Sequence, residues 1–350
     1  MTTWRTILAW TETAVLVALF YALNASQTWP APVRTIHADQ VNQAQPQPGT
    51  RLPAKLDALT VKIEILLDRA HFSPGEIDGK GGENVEKALA AFAETHGTSW
   101  DGRWTSSLWQ ALSKEAAPNL FTNYTTTEDD FRGPFVRTVP KKMEEMKDLP
   151  GLAYTSPKEE LAERFHISQG LLVELNPKAR FRNAGETLLV PAVANNPLNA
   201  RVSSIVVDKS AQTVKAFDSK DKLVSFYPAT VGSDEKPAPS GRLKVTVIKR
   251  NPTYRYNPKY QFKGVQTQKP FTIKPGPNNP VGLVWIGLTG EGYGIHGTPE
   301  PDKVSKTASH GCVRLTNWDA LQLASALRKG VPVQFVGEQA ATAAHGSRAQ

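Results

Sequence analysis

Apolar residues recur at helical spacing through the first part of the chain and at strand spacing through the last. Leu59, Ile63, Leu66 and Ala70 predict one amphipathic helix, Val85, Leu89 and Phe92 a second, and Trp104, Leu108 and Leu112 a third. Turn residues separate them: Ser73-Pro74-Gly75, Asp78-Gly79 and Gly81-Gly82 between the first two, Asp101-Gly102 before the third. This outlines a small three-helix domain over residues 54–118. Residues 119–150 carry Thr and charge without a sustained period, with Gly133-Pro134 and Pro140, and read as a connector. In residues 151–195 the period returns. Ser156-Pro157-Lys158-Glu159 combines an N-cap serine, a proline at the first helical position and a glutamate at N3. Leu161 and Phe165 continue that helix. Ser168 caps another carrying Leu171, Leu172 and Leu175, which stops at Asn176-Pro177, and Leu188–Pro191 is a short strand. With a strand before the helices this is a βααβ module.

Over residues 202–336 the pattern is β-rich. Ile205–Val207, Thr213–Phe217, Leu223–Tyr227, Leu243–Ile248 and Leu283–Leu288 alternate with turns, and Asn251–Pro280 is irregular. Asn317–Arg328 is the one helix there, with Asn317 as its expected cap, Leu321, Ala324 and Leu327 inward and Gly330 at its end; Val331–Val336 closes the domain. Residues 337–350 are rich in Ala and Gly and predict a disordered tail, and residues 27–53, rich in Pro, Gln, Ala and Thr, a flexible linker. The apolar run Ala14–Leu23 after Arg5 is shorter than the roughly 20 residues a membrane span needs. It fits the core of an export signal over residues 1–26, with Ala25 and Ser26 at a cleavage point. Extended back to Ile7, with Glu12 intruding, it would instead be an uncleaved inner-membrane anchor. The expectation is an exported protein of the periplasm or cell envelope, cleaved or anchored.

Composition narrows the partners. The 350 residues carry a net charge of +8, which favours an anionic partner: nucleic acid, acidic membrane or acidic wall polymer. Between Lys236 and Gly290 stand ten Lys or Arg and no Asp or Glu, so one sign of charge surrounds the segment that follows. That segment, Ile295–Leu315, holds the only cysteine, Cys312, with His296 and His310. A single cysteine forms no internal disulfide, so the thiol is either a small buried hydrophobe or a group kept for chemistry. Its neighbours Ser309, His310, Gly311 and Arg314 are polar or small, which favours a nucleophile, since a thiolate needs a base or a cation beside it.

Read with its surroundings, the segment resembles the catalytic domain of the L,D-transpeptidases (YkuD-like), which remodel bacterial peptidoglycan. The residues that carry the resemblance are His296-Gly297-Thr298 and Ser309-His310-Gly311-Cys312-Val313-Arg314-Leu315. Tyr227–Gly232, Lys236–Gly241 and Asn251–Tyr254 support it. Ser305 departs from it, many members having glycine in that loop. Upstream, residues from Val61 to Gly97 resemble a peptidoglycan-binding domain, with Glu64 and Ala93 where that family often has Gln and Gly81 where it has an aromatic. The βααβ module resembles LysM, a recogniser of N-acetylglucosamine polymers. A plain helical spacer and a packing module are the competing readings of these two. The fold class is thus multidomain α+β: a mainly-β, β-sandwich-like catalytic domain preceded by a three-helix domain and a LysM-like module.

The resemblance implies Cys312 as nucleophile and His296 as the base that forms the thiolate and reprotonates the leaving amine, with the second imidazole nitrogen held by the Gly297 carbonyl. His310 shapes the loop or the acceptor side, or is itself the base. Gly311 lets the amides of Gly311 and Cys312 form an oxyanion hole. Arg314, with Ser309, binds substrate, Arg314 by forking onto a carboxylate unless it makes a structural ion pair. Tyr254, Tyr256 and Tyr260 with Trp285 would line a groove, although Trp285 at strand spacing is more often core. The donor is a tetrapeptide stem, which releases D-alanine to a Cys312 thioester. A second stem as acceptor gives a 3→3 cross-link, water gives carboxypeptidation and a lipoprotein amine gives anchoring. No cofactor or metal is implied. The alternatives are a zinc site from His296, His310 and Cys312, a wall-binding protein with an inactive catalytic domain, and a nucleic-acid binder, which lacks a recognition helix.

Overall fold

The computed structural model describes residues 36–116, 119–194, 196–233, 236–260, 265–307 and 311–338. The expected export segment, Ser309, His310 and most of the expected tail lie outside the described residues. From Ile36 on, the chain forms one compact unit.

The three expected helices form: α2 (Ala58–Arg69), α3 (Glu83–Thr95) and α4 (Ser106–Leu112). Asp57 caps α2 by accepting from the amides of Leu59 and Thr60, and Thr105 caps α4. The turn between α2 and α3 is glycine-bound for steric reasons. A Cβ on Gly79, whose φ is +74°, would strike Leu56 and Val61. One expectation is corrected here. Within the expected linker, Ala38–Gln43 is a helix, α1, with Ile36 and Val41 buried against α2 and Lys62 Nζ donating to the Asn42 and Ala44 carbonyls at 2.7 and 2.9 Å. The polar composition hid two apolar anchors and a long-range lysine clamp.

The βααβ module is also redrawn. Its helices α7 (Pro157–Arg164) and α8 (Gln169–Leu175) start at Ser156 and Ser168, and β2 (Thr187–Pro191) follows. Its first strand, however, is β1 (Phe121–Thr125), within the expected connector, pairing antiparallel from Phe121↔Pro191 to Thr125↔Thr187. Two short helical turns, α5 (Asp129–Arg132) and α6 (Met143–Met146), lie in the long excursion between β1 and α7. The module shares one hydrophobic core with the helical domain.

The β-rich segment is a single nine-stranded sheet among the described residues, in the order β5-β4-β3-β13-β7-β10-β11-β12-β6. The strands are β3 (Ser204–Asp208), β4 (Thr213–Phe217), β5 (Leu223–Pro228), β6 (Thr230–Val231), β7 (Gly241–Arg250), β10 (Val284–Leu288), β11 (Gly294–His296), β12 (Val313–Arg314) and β13 (Pro332–Val336). A separate hairpin joins β8 (Tyr254–Tyr256) to β9 (Phe271–Ile273). The β-sandwich-like expectation gives way to a near-barrel. β7 is long enough to pair with β13 through its first half and with β10 through its second, and the edge strands β5 and β6 are joined through Ala229 alone. The sheet therefore curls almost closed around Ile205, Val207, Val214, Ile286, Ile295 and Val313, plugged by α9 (Asn317–Ala326) through Ala320 and Leu323. The cap of α9 is Thr316, whose hydroxyl accepts from the Asp319 amide at 3.1 Å, so Asn317 is a helical residue with its side chain free for another task.

Backbone hydrogen bonds stitch the modules together. Phe226 on β5 exchanges them with the Phe72 segment, its amide donating to the His71 carbonyl and its carbonyl accepting from the Ser73 amide, both at 2.9 Å. Ile77 does the same with the turn between α7 and α8, through His166 and Ser168.

Candidate active site

β11 and β12 run parallel, with Ile295 opposite Val313 and His296 opposite Arg314. Ile295 and Val313 point into the core, 0% and 1% exposed. Side chains alternate along strands, so His296 and Arg314 lie on the other face, together with Cys312, one residue before β12. The pleat thus brings His296, Cys312 and Arg314 to one side across a sixteen-residue loop. Gly311, with φ +88°, makes the turn into Cys312 in a conformation few side chains tolerate. The Cys312 thiol is half-buried and donates to the Gly292 carbonyl at 3.4 Å.

His296 is buried, and its Nδ1 lies 2.6 Å from the Gly297 carbonyl oxygen. That contact requires hydrogen on Nδ1 and leaves the Nε2 lone pair available to take a proton. Trp285, directly across on β10, stacks on the imidazole with ring centroids 5.6 Å apart and 20° between planes. It also covers Gly294, where any Cβ would collide with the indole. The Trp285 side chain is thus packed against His296 and Gly294, nearer to a core residue than to a groove wall.

Burial dominates the electrostatics. It pushes the Cys312 thiol up to about 11, against the downward pull of a hydrogen bond from the Gly294 backbone and of the Arg314 and Lys236 charges. Burial also lowers His296 to about 3, helped by the Arg314 charge and opposed by the Gly297 carbonyl. The resting pair is therefore a neutral thiol and a neutral imidazole. The Arg314 guanidinium is half-buried and its Nε has no hydrogen-bond partner among the described residues, while Glu300, Cys312 and Tyr254 oppose the effect of its burial.

Of the expected groove, Tyr256 drops out. It is 2% exposed and stacks on Phe271, because the β8–β9 hairpin needs its own small core. Tyr254 is half-buried and faces Arg314 electrostatically; the Tyr260 side chain lies outside the described residues. Ser305 sits at φ +66°, the left-handed region where glycine is at ease, which accounts physically for the glycine it replaces. Its amide donates to Thr230 Oγ1 at 2.9 Å, and its hydroxyl accepts from Lys87 Nζ at 3.2 Å. Asn84 Nδ2 donates to the Val304 carbonyl, so α3 of the helical domain grips the loop between His296 and Cys312. Sequence reasoning missed this grip, and also Asn317, whose Oδ1 accepts from the Leu283 amide at 3.1 Å and fills the space beside Gly282 and Gly297.

The profile of the YkuD L,D-transpeptidase catalytic domain matches residues 203–335, the whole span of the near-barrel. The L,D-transpeptidase-named protein YqjB of Bacillus subtilis is 31% identical over 146 residues, which cover 40% of this chain and 74% of that protein. The chain belongs to the L,D-transpeptidase family. A second relative of that name, YkuD of Bacillus licheniformis, is 28% identical over 179 residues, 51% of this chain and 92% of its own length. L,D-transpeptidase 3 from Mycobacterium tuberculosis, solved with a faropenem-derived adduct, aligns with 45% of this chain and 71% of its own at 19% identity and a TM-score of 0.32. In this L,D-transpeptidase, the matched segment begins at the first strand of the near-barrel and leaves the helical domain and the βααβ module outside it.

Proposed function

We propose that the chain is a cysteine-dependent peptidoglycan L,D-transpeptidase. The observation that carries this is the placement of Cys312 and His296 on one face of adjacent parallel strands, with the imidazole held by Gly297 so that Nε2 is its basic atom. Cys312 Sγ attacks the carbonyl carbon of the L,D bond before the terminal D-alanine of a tetrapeptide stem while His296 Nε2 takes the thiol proton. The Gly311 and Cys312 amides receive the oxyanion. The C–N bond then breaks, the D-alanine nitrogen takes the proton from His296, and a thioester remains. A side-chain amine of a second stem attacks that carbonyl and gives its proton to His296, and the C–S bond breaks to expel the Cys312 thiolate, which takes that proton back as the thiol. The product is a 3→3 cross-link. Because imidazole and thiol are both neutral at rest, proton transfer accompanies attack.

Arg314, a half-buried cation with an unpartnered Nε, fits a stem carboxylate, and the one-signed stretch from Lys236 to Gly290 draws an anionic polymer toward it. Ser309 and His310 complete the substrate and acceptor side of the loop in this reading. The βααβ module is read as LysM-like, with a groove of about 570 Å³ lined by Asn176, Pro177, Lys178, Arg180 and Glu186 as its glycan site. The helical domain is read as peptidoglycan-binding-like and the protein as exported to the cell envelope, where this substrate lies.

Incubation of the purified protein with tetrapeptide muropeptides, read by mass spectrometry, tests the reaction. Dimers lacking one D-alanine establish cross-linking, tripeptides establish carboxypeptidation, and a product joined to a lipoprotein lysine establishes anchoring. Cys312→Ala is expected to abolish every product. Retention of full activity by that variant would overturn the mechanism, and no product from the folded wild type would leave only a wall-binding role.

A further inference from the structure

The turn that carries the base is held from outside the near-barrel. Asn317, 1% exposed at the first turn of α9, places its Oδ1 against Gly282 and Gly297, where a Cβ on either glycine would collide with it. The same oxygen accepts from the Leu283 amide, and the next residue of that strand, Val284, accepts from the Gly297 amide at 3.3 Å. Asn317 thus fixes the peptide whose carbonyl holds His296 Nδ1. Its Nδ2 in turn donates to the two carboxyl oxygens of Glu163 at 3.2 and 3.0 Å, and to the Pro277 carbonyl at 3.2 Å. Glu163 belongs to α7 of the βααβ module, 154 residues away in sequence.

We infer that Glu163 is a positioning residue for the transpeptidase reaction: from the accessory module it holds Asn317, which sets the Gly297 carbonyl that orients the His296 imidazole. This rests on the proposed role of His296 as the base. A contact needed only for packing would be met by an apolar side chain, because a buried carboxyl costs free energy unless its hydrogen bonds are made. Here they are made, to Asn317 and, at 3.4 Å, from the Tyr154 hydroxyl. Without Glu163, Asn317 Nδ2 keeps only the Pro277 carbonyl, and its amide is free to rotate off Gly297. Burial raises the Glu163 carboxyl to about 8, against the Asn317 hydrogen bond. Glutamine keeps one acceptor oxygen for Asn317 Nδ2 at the same size, and leucine removes both acceptors at similar volume.

The test uses the full chain and the variants Glu163→Gln and Glu163→Leu, with Glu163→Ala in place of leucine should that variant not fold. Two readouts are taken: kcat and KM on tetrapeptide muropeptides, and the imidazole nitrogen resonances of His296 by NMR. Glu163→Leu is expected to lower kcat by about tenfold to about a hundredfold, the scale of a misplaced catalytic group, with KM little changed. Its His296 resonances should lose the single Nδ1–H tautomer, whereas Glu163→Gln stays close to wild type in both readouts. Wild-type kcat in the leucine variant would overturn the inference. So would a fall in kcat with the tautomer intact, or a glutamine variant as impaired as the leucine one. If Cys312→Ala is inactive while Glu163→Leu behaves as wild type, this inference alone fails; if Cys312→Ala remains active, the proposed mechanism fails with it.

Discussion

A thiol held near 11 beside an imidazole held near 3 behaves unlike a preformed thiolate–imidazolium pair. Alkylation of Cys312 by iodoacetamide should climb about tenfold per pH unit from neutral toward the thiol's own range, without a plateau near neutrality, because the thiolate fraction rises with pH below the thiol pKa. A flat rate across that window would establish a resting ion pair instead. Gly297→Ala should be among the most damaging single changes, since its methyl must displace Asn317 Oδ1 and with it the carbonyl that holds the base. Loss of kcat together with a lowered melting temperature is expected. At this scale the sequence pointed to Cys312 and His296 as candidates, through the paired segments His296-Gly297-Thr298 and Ser309–Leu315 at their fixed order and spacing. It did not show the groups that act through packing. Asn317 looks like a helix cap because caps and amide clamps use the same residue type; only the fold shows that Thr316 caps the helix and leaves the Asn317 amide to brace Gly282 and Gly297.

Among the described residues, hydrogen bonds tie the loop after Gly297 to Thr230 of the near-barrel and to Asn84 and Lys87 of α3. Each half-buried hydrogen bond of this kind contributes about 1 kcal/mol net. Asn84→Ala with Lys87→Ala should therefore speed amide hydrogen exchange at Val304–Thr307 while leaving the exchange of β10 unchanged. Equal protection in the double variant would show that the grip does not order the loop. Helices were legible where apolar period and cap agreed, as at Ser156 and Ser168. β1 was not, since Phe-Thr-Asn-Tyr-Thr has no apolar alternation. Its strand character comes from pairing with β2, more than sixty residues on.

The described unit behaves as one body because its modules meet through buried polar groups as well as apolar ones. Asp319 of α9 accepts from Ser73 Oγ at 2.9 Å, Asp68 of α2 bonds His166 at 2.9 Å, and His166 stacks on Trp318. Burial raises Asp319 to about 7 and Glu163 to about 8. For His166, burial acts downward, but the charge and hydrogen bond of Asp68 outweigh it and its net shift is upward. All three hold their protons more tightly folded than unfolded. The stability they contribute is full below the unfolded pKa of each and is lost as pH rises through the folded values. The melting temperature should fall between about pH 5 and about pH 9, and Asp319→Asn or Glu163→Gln should each flatten that fall. A melting temperature that rises over this range would contradict the protonation states. Domain organisation was legible only as a list of modules; the contacts that fuse them link residues more than a hundred positions apart and leave no local trace.

The backbone exchange between Phe226 and the Phe72 segment has a practical corollary. A fragment trimmed to the matched segment would strip the Phe72 segment from the edge strand β5, baring Phe226 with its amide and carbonyl unpaired. Exposed strand edges recruit identical edges on neighbouring molecules. The trimmed fragment should self-associate in light scattering, while the chain from Ile36 stays monodisperse. What reads as an accessory domain is, for this protein, also its protection against clumping.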